Sequence, residues 1–272
     1  MTKQAAVFRV PMRHPGDVSA IAALIEAGTL DPATITAILG KTESNGCVND
    51  FTRAYALQSL TQLLGPDSHE RIAMVMSGET EGGLSPHFLI LVTAETDAAP
   101  NPSGALAMAI AFTRDFAPEE VGRMAQIYAT AEAIFAAAAQ FGAIHFVQIK
   151  CPLLTSERIA DAAARGQTVA TRDTYHSMGL SRGASALGVA LALGEVAEAA
   201  LSDAFIGADT SLFARRASAS ACVELMYNEI LILGTSRAWA GDLTITYEVT
   251  ADGIDAPAIH RALRAVGLIP TA

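Results

Sequence analysis

Short apolar runs rich in β-branched residues alternate along the chain with longer segments whose apolar positions recur at helical spacing. The runs that predict strands are AVFRVPM, ITAILGK, RIAMVMS, HFLILVT, ALAMAIAF, AIHFVQIK, NEILILG and DLTITYEV. Segments such as AEAIFAAAAQFG have the period of a helix. This alternation predicts an α/β fold in which helices cover sheets.

The order of these elements repeats. A strand ending near Val10 leads into a predicted helix over about 17–27, and the next strand ends at Lys41. The run ALAMAIAF leads in the same way into a predicted helix over about 118–140 and then into a strand ending at Lys150. The pattern therefore predicts tandem, similar α/β domains, each containing a strand that ends on a lysine.

A third copy starts with LTITYEV and a predicted helix over about 256–266, and the sequence ends before its lysine strand. We therefore divide the chain into a first repeat over 1–98, a second over 99–240 and the start of a truncated third over 241–272. The apolar face of the last helix is expected to be exposed at Ile259, Leu263 and Val266. Because apolar surface in water costs about 25 cal/mol per Å², we expect a partner: a separately encoded chain that completes the third domain, or copies of this chain.

Both complete copies continue with an arginine at a predicted helix start and then a serine before a small residue. The sets are Lys41, Arg53, Ser77 and Gly78 in the first copy and Lys150, Arg182, Ser220 and Ala221 in the second. A glutamate follows each serine four positions later, at Glu81 and Glu224. Singly, such residues usually solvate a strand edge or form a turn. Two sets in one order indicate residues that face a shared centre.

The residue types in these sets suit acyl transfer. Serine is a poor nucleophile at neutral pH and needs a base to remove its proton. A lysine can be that base once it has lost its own proton, and burial beside a like-charged arginine favours that loss. Arg182 would act on Lys150 in this way. The N–H groups of Ser220 and Ala221 could hold the oxyanion, at about 3 kcal/mol per donor.

Composition narrows the possible functions. The chain has 272 residues, 51% of them apolar and 17% charged, with a formal charge of −10, which argues against disorder and against a nucleic-acid surface. We expect neither a membrane span nor an export signal, and hence a cytoplasmic location. Its three cysteines and six histidines have no disulfide or metal-ligand spacing, and GKT at 40–42 lacks the other glycine of a phosphate-binding loop. A small-molecule ligand is the better expectation.

Several longer motifs then indicate a family. GKTESNGCVNDFTR, MSGETEGGLSPH, AFTRDFAPEEVGRMAQI, HFVQIKCPLLT, SMGLSRGASALGVAL and SASACVELMYNEI resemble the cyanuric acid hydrolase and barbiturase family of ring-opening amidohydrolases, nearly continuously from Phe8 to about Gly267. The resemblance implies three similar α/β domains around a pseudo-threefold axis, each giving one lysine, one arginine and one serine. It also implies that Ser220 is the nucleophile and Lys150 its base, and that the other residues of the sets bind the ring.

The resemblance implies a substrate as well: cyanuric acid, opened to carboxybiuret and then to biuret and CO2, with barbituric acid as the alternative. It implies no cofactor here, since the structural divalent-metal site of the family belongs to the third domain. Ser44, Glu79 and Cys222 stand where glycine is usual in the family. Glu79 and the truncated third repeat motivate a rival interpretation, a non-catalytic binding or structural subunit of such an enzyme.

Overall fold

The computed structural model describes residues 1–78 and 85–268. The strands are β1 Thr2–Pro11, β2 Ile35–Lys41, β3 Ala73–Ser77, β4 His87–Thr96, β5 Ala105–Phe112, β6 Ala143–Pro152, β7 Ala217–Cys222, β8 Glu229–Ser236 and β9 Trp239–Ala240. The α-helices are α1 Ser19–Glu26, α2 Thr52–Leu64, α3 Ser68–Arg71, α4 Met124–Ala138, α5 Ser156–Ala164, α6 Thr174–Ala192 and α7 Ala256–Ala265.

The strands form two sheets with the same internal order. The first sheet runs β3-β2-β4-β1-β9, and the second runs β7-β6-β8-β5. In the first sheet β2 pairs in parallel with β3 and antiparallel with β4, which pairs antiparallel with β1. The second sheet repeats these pairings strand for strand, with β6, β7, β8 and β5 in the same places. The predicted α/β class and the internal repeat are confirmed.

The two sheets face each other across an apolar layer. This layer includes Ala37, Ala73 and Leu91 from the first sheet and Leu231 and Leu233 from the second. The outer face of the first sheet is covered by α1 and α2, and that of the second by α4 and α6. Side chains alternate between the faces of a strand, so the residues two and four positions along from these also point inward, between the sheets.

The predicted strand over 243–249 is not formed, so this expectation was wrong. The segment is irregular, and no strand in the described part of the chain pairs with it. A strand exists only where a neighbour completes its hydrogen-bond ladder. The segment lies instead along the second repeat: the carbonyl of Leu243 accepts from the N–H of Leu106 at 2.6 Å, and the rings of Tyr247 and His145 lie 6.5 Å apart.

One predicted helix begins later than expected, and another is less exposed than expected. Residues 118–120 form a 3₁₀ turn and α4 begins only at Met124, because Gly122 between them has a φ of +75°, outside the helical region. The predicted last helix is confirmed as α7, capped by the Asp255 carboxylate, which accepts from the N–H of Ala258. Its apolar face is exposed only in part: Ile259 is 58% exposed, whereas Leu263 and Val266 are half-buried.

Within the described ranges, none of the helices has the length and apolar character to cross a bilayer. Whether a partner chain covers α7 stays a prediction.

Candidate active site

A cavity of about 400 Å³ lies between the inner faces of the two sheets. Seven of the eight residues in the two predicted sets line it, namely Lys41, Arg53, Ser77, Gly78, Arg182, Ser220 and Ala221. The eighth, Lys150, is buried beside the cavity wall and is 1% exposed. The structure therefore brings together residues that stand up to 180 positions apart in the chain.

The lysine and serine of each set are direct neighbours in a parallel strand pair. Lys41 of β2 lies opposite Ser77 of β3, and Lys150 of β6 lies opposite Ser220 of β7. Opposite residues share a face of the sheet, so each lysine and its serine project inward together. Lys41 Nζ donates to Ser77 Oγ at 3.2 Å, whereas Lys150 makes no hydrogen bond to Ser220 among the described residues. Such bonds are often loose before substrate binds.

The antiparallel neighbour of each lysine differs between the repeats. His87 of β4 lies opposite Lys41, and Glu229 of β8 lies opposite Lys150. Glu229 is 4% exposed, and its carboxylate accepts from the N–H of Met74 in the other repeat at 3.3 Å. Burial raises the pKa of Glu229 to about 7, with the charge of Lys150 acting in the opposite direction. Neither residue was found from the sequence, where each stands at a strand start and looks like a polar boundary.

Arg53 connects the two repeats. It is the second residue of α2, as expected, and is 3% exposed. One terminal nitrogen donates to the carbonyl of Ala221 at 2.9 Å and the other to the carbonyl of Cys47 at 2.9 Å, while Nε lies 3.8 Å from the carboxylate of Asp50. The guanidinium of the first repeat thus fixes the backbone next to Ser220.

Asp50 shapes the loop between β2 and α2. Its buried carboxylate accepts from the N–H of Gly46 at 3.1 Å and from the N–H of Thr52 at 2.9 Å. A Cβ placed on Gly78 would lie 1.7 Å from Asp50 Oδ2, so any other residue there would displace this carboxylate. Asp50 was not predicted from the sequence, although an aspartate two positions before a threonine at a helix start is a capping signal.

Arg182 lies in the middle of α6 and not at a helix start, so that expectation was wrong. The helix begins at Thr174, where the Asp173 carboxylate accepts from the N–H of His176 at 2.8 Å. The cap nine residues upstream, and not the glycines around Arg182, sets the helix start. From mid-helix the guanidinium reaches the cavity wall.

The direction of the backbone groups in β3 and β7 decides which N–H groups beside the serines can bind an oxyanion. The carbonyl of Ser77 accepts from the N–H of Thr42, and that of Cys222 accepts from the N–H of Leu153. Successive residues of a strand direct their backbone N–H and C=O groups to opposite sides of the strand. Ser77 therefore directs these groups towards β2, and Ser220, two positions before Cys222, directs them towards β6. The N–H of the next residue, Gly78 or Ala221, faces the open edge. Of the two donors expected beside each serine, the second is the available one.

The remaining candidates contribute in different ways. Burial acts to raise the pKa of Glu224, but the charges of Lys150 and Arg53 together with hydrogen bonds lower it more, so the net shift is downward and this carboxylate lies within electrostatic reach of Lys150. Burial raises the pKa of the Cys222 thiol to about 12, so that thiol stays protonated at neutral pH. The N–H of Ser44 donates to the carbonyl of Gly78 at 2.7 Å. Glu79 and Glu81 lie outside the described residues.

In residues 1–78 and 85–268, no three His, Cys, Asp or Glu side chains come close enough together to hold a metal ion.

Comparisons with known proteins agree with this geometry. The family model described as amidohydrolase ring-opening protein matches residues 6–272. A cyanuric acid amidohydrolase of Enterobacter cloacae is 51% identical over 279 residues, which cover 97% of this chain and 75% of that protein. One of Azorhizobium caulinodans is 52% identical over 271 residues, covering 97% and 76% respectively.

Solved structures give the same result. The crystal structure of the A. caulinodans cyanuric acid hydrolase matches with a TM-score of 0.92 at 51% identity, covering 98% of this chain and 77% of that one. A second cyanuric acid hydrolase structure matches with a TM-score of 0.93 at 46% identity. The match spans nearly the whole chain and both sheets around the cavity, and the chain therefore belongs to the family of ring-opening amidohydrolases and is a hydrolase.

Proposed function

We propose that this chain opens the ring of cyanuric acid, with Ser220 as nucleophile and Lys150 as its base. The observation that carries the proposal is the repeated strand register, in which a lysine lies opposite a serine at the wall of one cavity in each repeat. The relatives that are 51% and 52% identical to this chain are named cyanuric acid amidohydrolases. Barbituric acid presents similar carbonyl and N–H edges and is the alternative substrate.

The cavity suits a small, flat ring with alternating carbonyl and N–H groups. Its walls carry Lys41, Ser77 and Gly78 on one side and, on the other, Ser220 and Ala221, which are the equivalents of Ser77 and Gly78. The guanidinium groups of Arg53 and Arg182 add planar donors suited to carbonyl oxygens. Equivalent donors around a ring of threefold symmetry would bind each of its edges alike.

The reaction then follows ordinary acyl transfer. Ser220 Oγ attacks a ring carbonyl carbon as its proton moves to Lys150. The N–H of Ala221, which faces the open edge of β7, stabilises the oxyanion, a contribution of about 3 kcal/mol. The ring C–N bond breaks as Lys150 returns the proton to the leaving nitrogen. Water releases carboxybiuret from Ser220, and this product loses CO2 to give biuret.

Acid quenching during turnover tests this assignment. After incubation with cyanuric acid, the protein is digested and its peptides are weighed by mass spectrometry. We expect an acyl adduct on the peptide that contains Ser220 and none on the peptide that contains Ser77, with biuret accumulating in solution. An adduct on Ser77 alone would contradict the assignment of the nucleophile.

A parallel measurement separates the substrate alternatives. Turnover of cyanuric acid that exceeds turnover of barbituric acid supports the proposal, and the reverse favours the alternative substrate. Calorimetric titration with both compounds distinguishes the rival interpretation, because heat of binding without turnover would identify a binding subunit.

A further inference from the structure

We propose that Glu229 is a positioning residue for this reaction, and that its carboxylate stabilises the ammonium that Lys150 becomes on taking the proton of Ser220. The inference rests on the proposed function, since it assigns a partner to the proposed base. Glu229 is not part of either lysine, arginine and serine set, and it does not line the cavity. It would act on the substrate only through Lys150.

The fold places the carboxylate and the lysine together. Glu229 is the first residue of β8 and lies directly opposite Lys150 in the antiparallel pair of β6 and β8. Ser220 lies opposite Lys150 on the other side, so the three residues form one row across three adjacent strands. Opposite residues share a face of the sheet. The row therefore orders the side chains as nucleophile, base and carboxylate.

The carboxylate is held in place from the other repeat. Its oxygen accepts from the N–H of Met74 in β3 at 3.3 Å, and the residue is almost fully buried. A buried charge without a partner is costly. Once Lys150 has taken the proton of Ser220, its ammonium and the Glu229 carboxylate offset each other's charge in a site buried from water, where such an interaction is strongest.

Four titratable groups near Glu229 determine its electrostatic surroundings. Lys150 faces it from β6, Glu224 follows β7, His69 approaches from α3, and Tyr227 precedes β8. Lys150 and His69 favour the charged carboxylate, and Glu224 opposes it. Burial also raises the pKa of Tyr227, to about 12, so its hydroxyl stays neutral beside the pair at neutral pH.

The proton balance of the step is simple. The Lys150 amine accepts the Ser220 proton as the bond between Oγ and the ring carbon forms, which creates one positive charge at Lys150 and one negative charge on the former carbonyl oxygen. The Glu229 carboxylate interacts with that positive charge and neither gains nor loses a proton. When Lys150 passes the proton to the leaving nitrogen, the row returns to its starting state.

The first repeat supplies the internal comparison. Its row has the same serine and lysine, but His87 occupies the position of Glu229. Among the described residues, a carboxylate therefore lies opposite the lysine in the second row and a histidine in the first. This difference gives a structural reason why Ser220 and not Ser77 would be the nucleophile.

Glu229→Gln tests the inference, because the amide keeps the shape and can still accept from the Met74 N–H but carries no charge. We expect kcat to fall at least tenfold at pH 8 with KM within threefold of the parent value. In the parent, an ionisation near pH 7 should appear in the kcat profile, with activity rising as Glu229 becomes charged. That ionisation should be absent in the variant. Glu229→Asp, which keeps a carboxylate, should restore it with an intermediate kcat.

The matched control is Glu95→Gln, which removes an exposed glutamate from strand β4 and should change kcat and its pH profile less than twofold. A Glu229→Gln protein with parental kcat and the parental pH profile would overturn the inference. If that variant fails to fold, Glu229→Asp decides, since unchanged kcat with the shorter side chain would also overturn it.

Acylation of Ser220 by p-nitrophenyl acetate separates this inference from the proposed function. The rate, followed by mass spectrometry of the Ser220 peptide, measures the base without requiring ring opening. Slower acylation in Glu229→Gln supports the inference even if cyanuric acid is not turned over, and in that case only the substrate assignment fails. Equal acylation rates, or no acylation of Ser220 above other serines in the parent, would refute it.

Discussion

The two repeats share a strand order and a lysine to serine pairing, but they differ in how the lysine is surrounded. In the first, Lys41 is half-buried, lines the cavity and lies opposite His87. In the second, Lys150 is buried behind the wall and lies opposite Glu229. The two repeats therefore share a pairing of lysine with serine. The residue opposite the lysine, His87 or Glu229, distinguishes the ring-binding lysine from the candidate base.

The supports of the two sheets differ as well. The outer face of the first sheet packs on a cluster of apolar side chains that includes Ile38 and Leu60. Under α4 and α6, the second repeat holds a buried polar network, whose members are Gln126, Thr130, Ser181, Ser185 and Asn228. Asn228 immediately precedes Glu229, so this network fixes the start of β8. Buried networks that are fully bonded make a local structure unique.

The largest difference between the repeats is expected on removing the serines. Ser220→Ala should lower kcat at least about 10³-fold, since no nucleophile remains. Ser77→Ala should leave measurable kcat and raise KM, because it removes only a contact to the ring. Steady-state kinetics on both folded variants make the comparison, and similar losses in kcat would show that the two rows are functionally equivalent.

The lysines should separate in the same direction but less strongly. Lys150→Met keeps the length of the buried side chain and removes the base, so kcat should fall by about 10²- to 10⁴-fold. Lys41→Met should act mainly on KM. An external amine such as methylamine should restore part of the kcat of Lys150→Met alone. Rescue of Lys41→Met instead would reverse the assignment of the base.

The pH dependence of stability should reveal Glu229. Its pKa is raised to about 7 in the folded state and is about 4.3 when unfolded. The folded protein then binds the extra proton between those values, so stability is lost as pH rises from about 4.3 to 7, by about 4 kcal/mol at most. Urea unfolding at pH 5 and pH 8 should show Glu229→Gln gaining stability relative to the parent at the higher pH. His87→Gln, the equivalent position, should show no such gain.

The small residues after the serines offer a packing comparison. Gly78→Ala would place a methyl group 1.7 Å from the Asp50 carboxylate, which must move together with its loop, at a cost of about 2 kcal/mol. We also expect a higher KM, because that loop borders the cavity at Gly46. Thermal unfolding and kinetics of the variant measure both effects. Parental stability would mean that the loop over 46–50 yields without cost.

The smallest effect concerns the link between repeats. Arg53→Lys loses one of two hydrogen bonds to carbonyl groups, at about 1.5 kcal/mol. Arg158→Lys is matched, because Arg158 donates to the carbonyls of Leu153 and Val223 wholly within the second repeat. Both variants should lose similar stability by urea unfolding, but only Arg53→Lys should also lower kcat or raise KM. Equal kinetics would remove Arg53 from the site.

Much of this architecture could be predicted from local patterns. The apolar runs located β2 and its end at Lys41, and the recurrence of lysine, arginine, serine and a small residue located seven residues of the cavity lining. Such features depend on chain-local periodicity and on repetition, which are visible in a single sequence.

What failed depends on long-range pairing. The apolar alternation over 243–249 is that of a strand but contains no information on whether a neighbouring strand is present. Glu229 acquires its role only from a register that joins β8 to Lys150, 79 positions earlier in the chain. Arg182 was misplaced because small, glycine-containing helix interiors resemble helix ends in sequence, while the cap at Asp173 decides the start.

The short strand β9 has a consequence for the order of folding. It pairs Trp239 and Ala240 with Lys3 and Gln4, so the first sheet is completed by residues synthesised after all other strands of the second repeat. Until then the edge of β1 remains open, and open edges are templates for aggregation in a nascent chain. Closing a loop of this length is also entropically slow. We expect the last step of folding, and the interval most dependent on chaperones, to be the docking of β9 on β1.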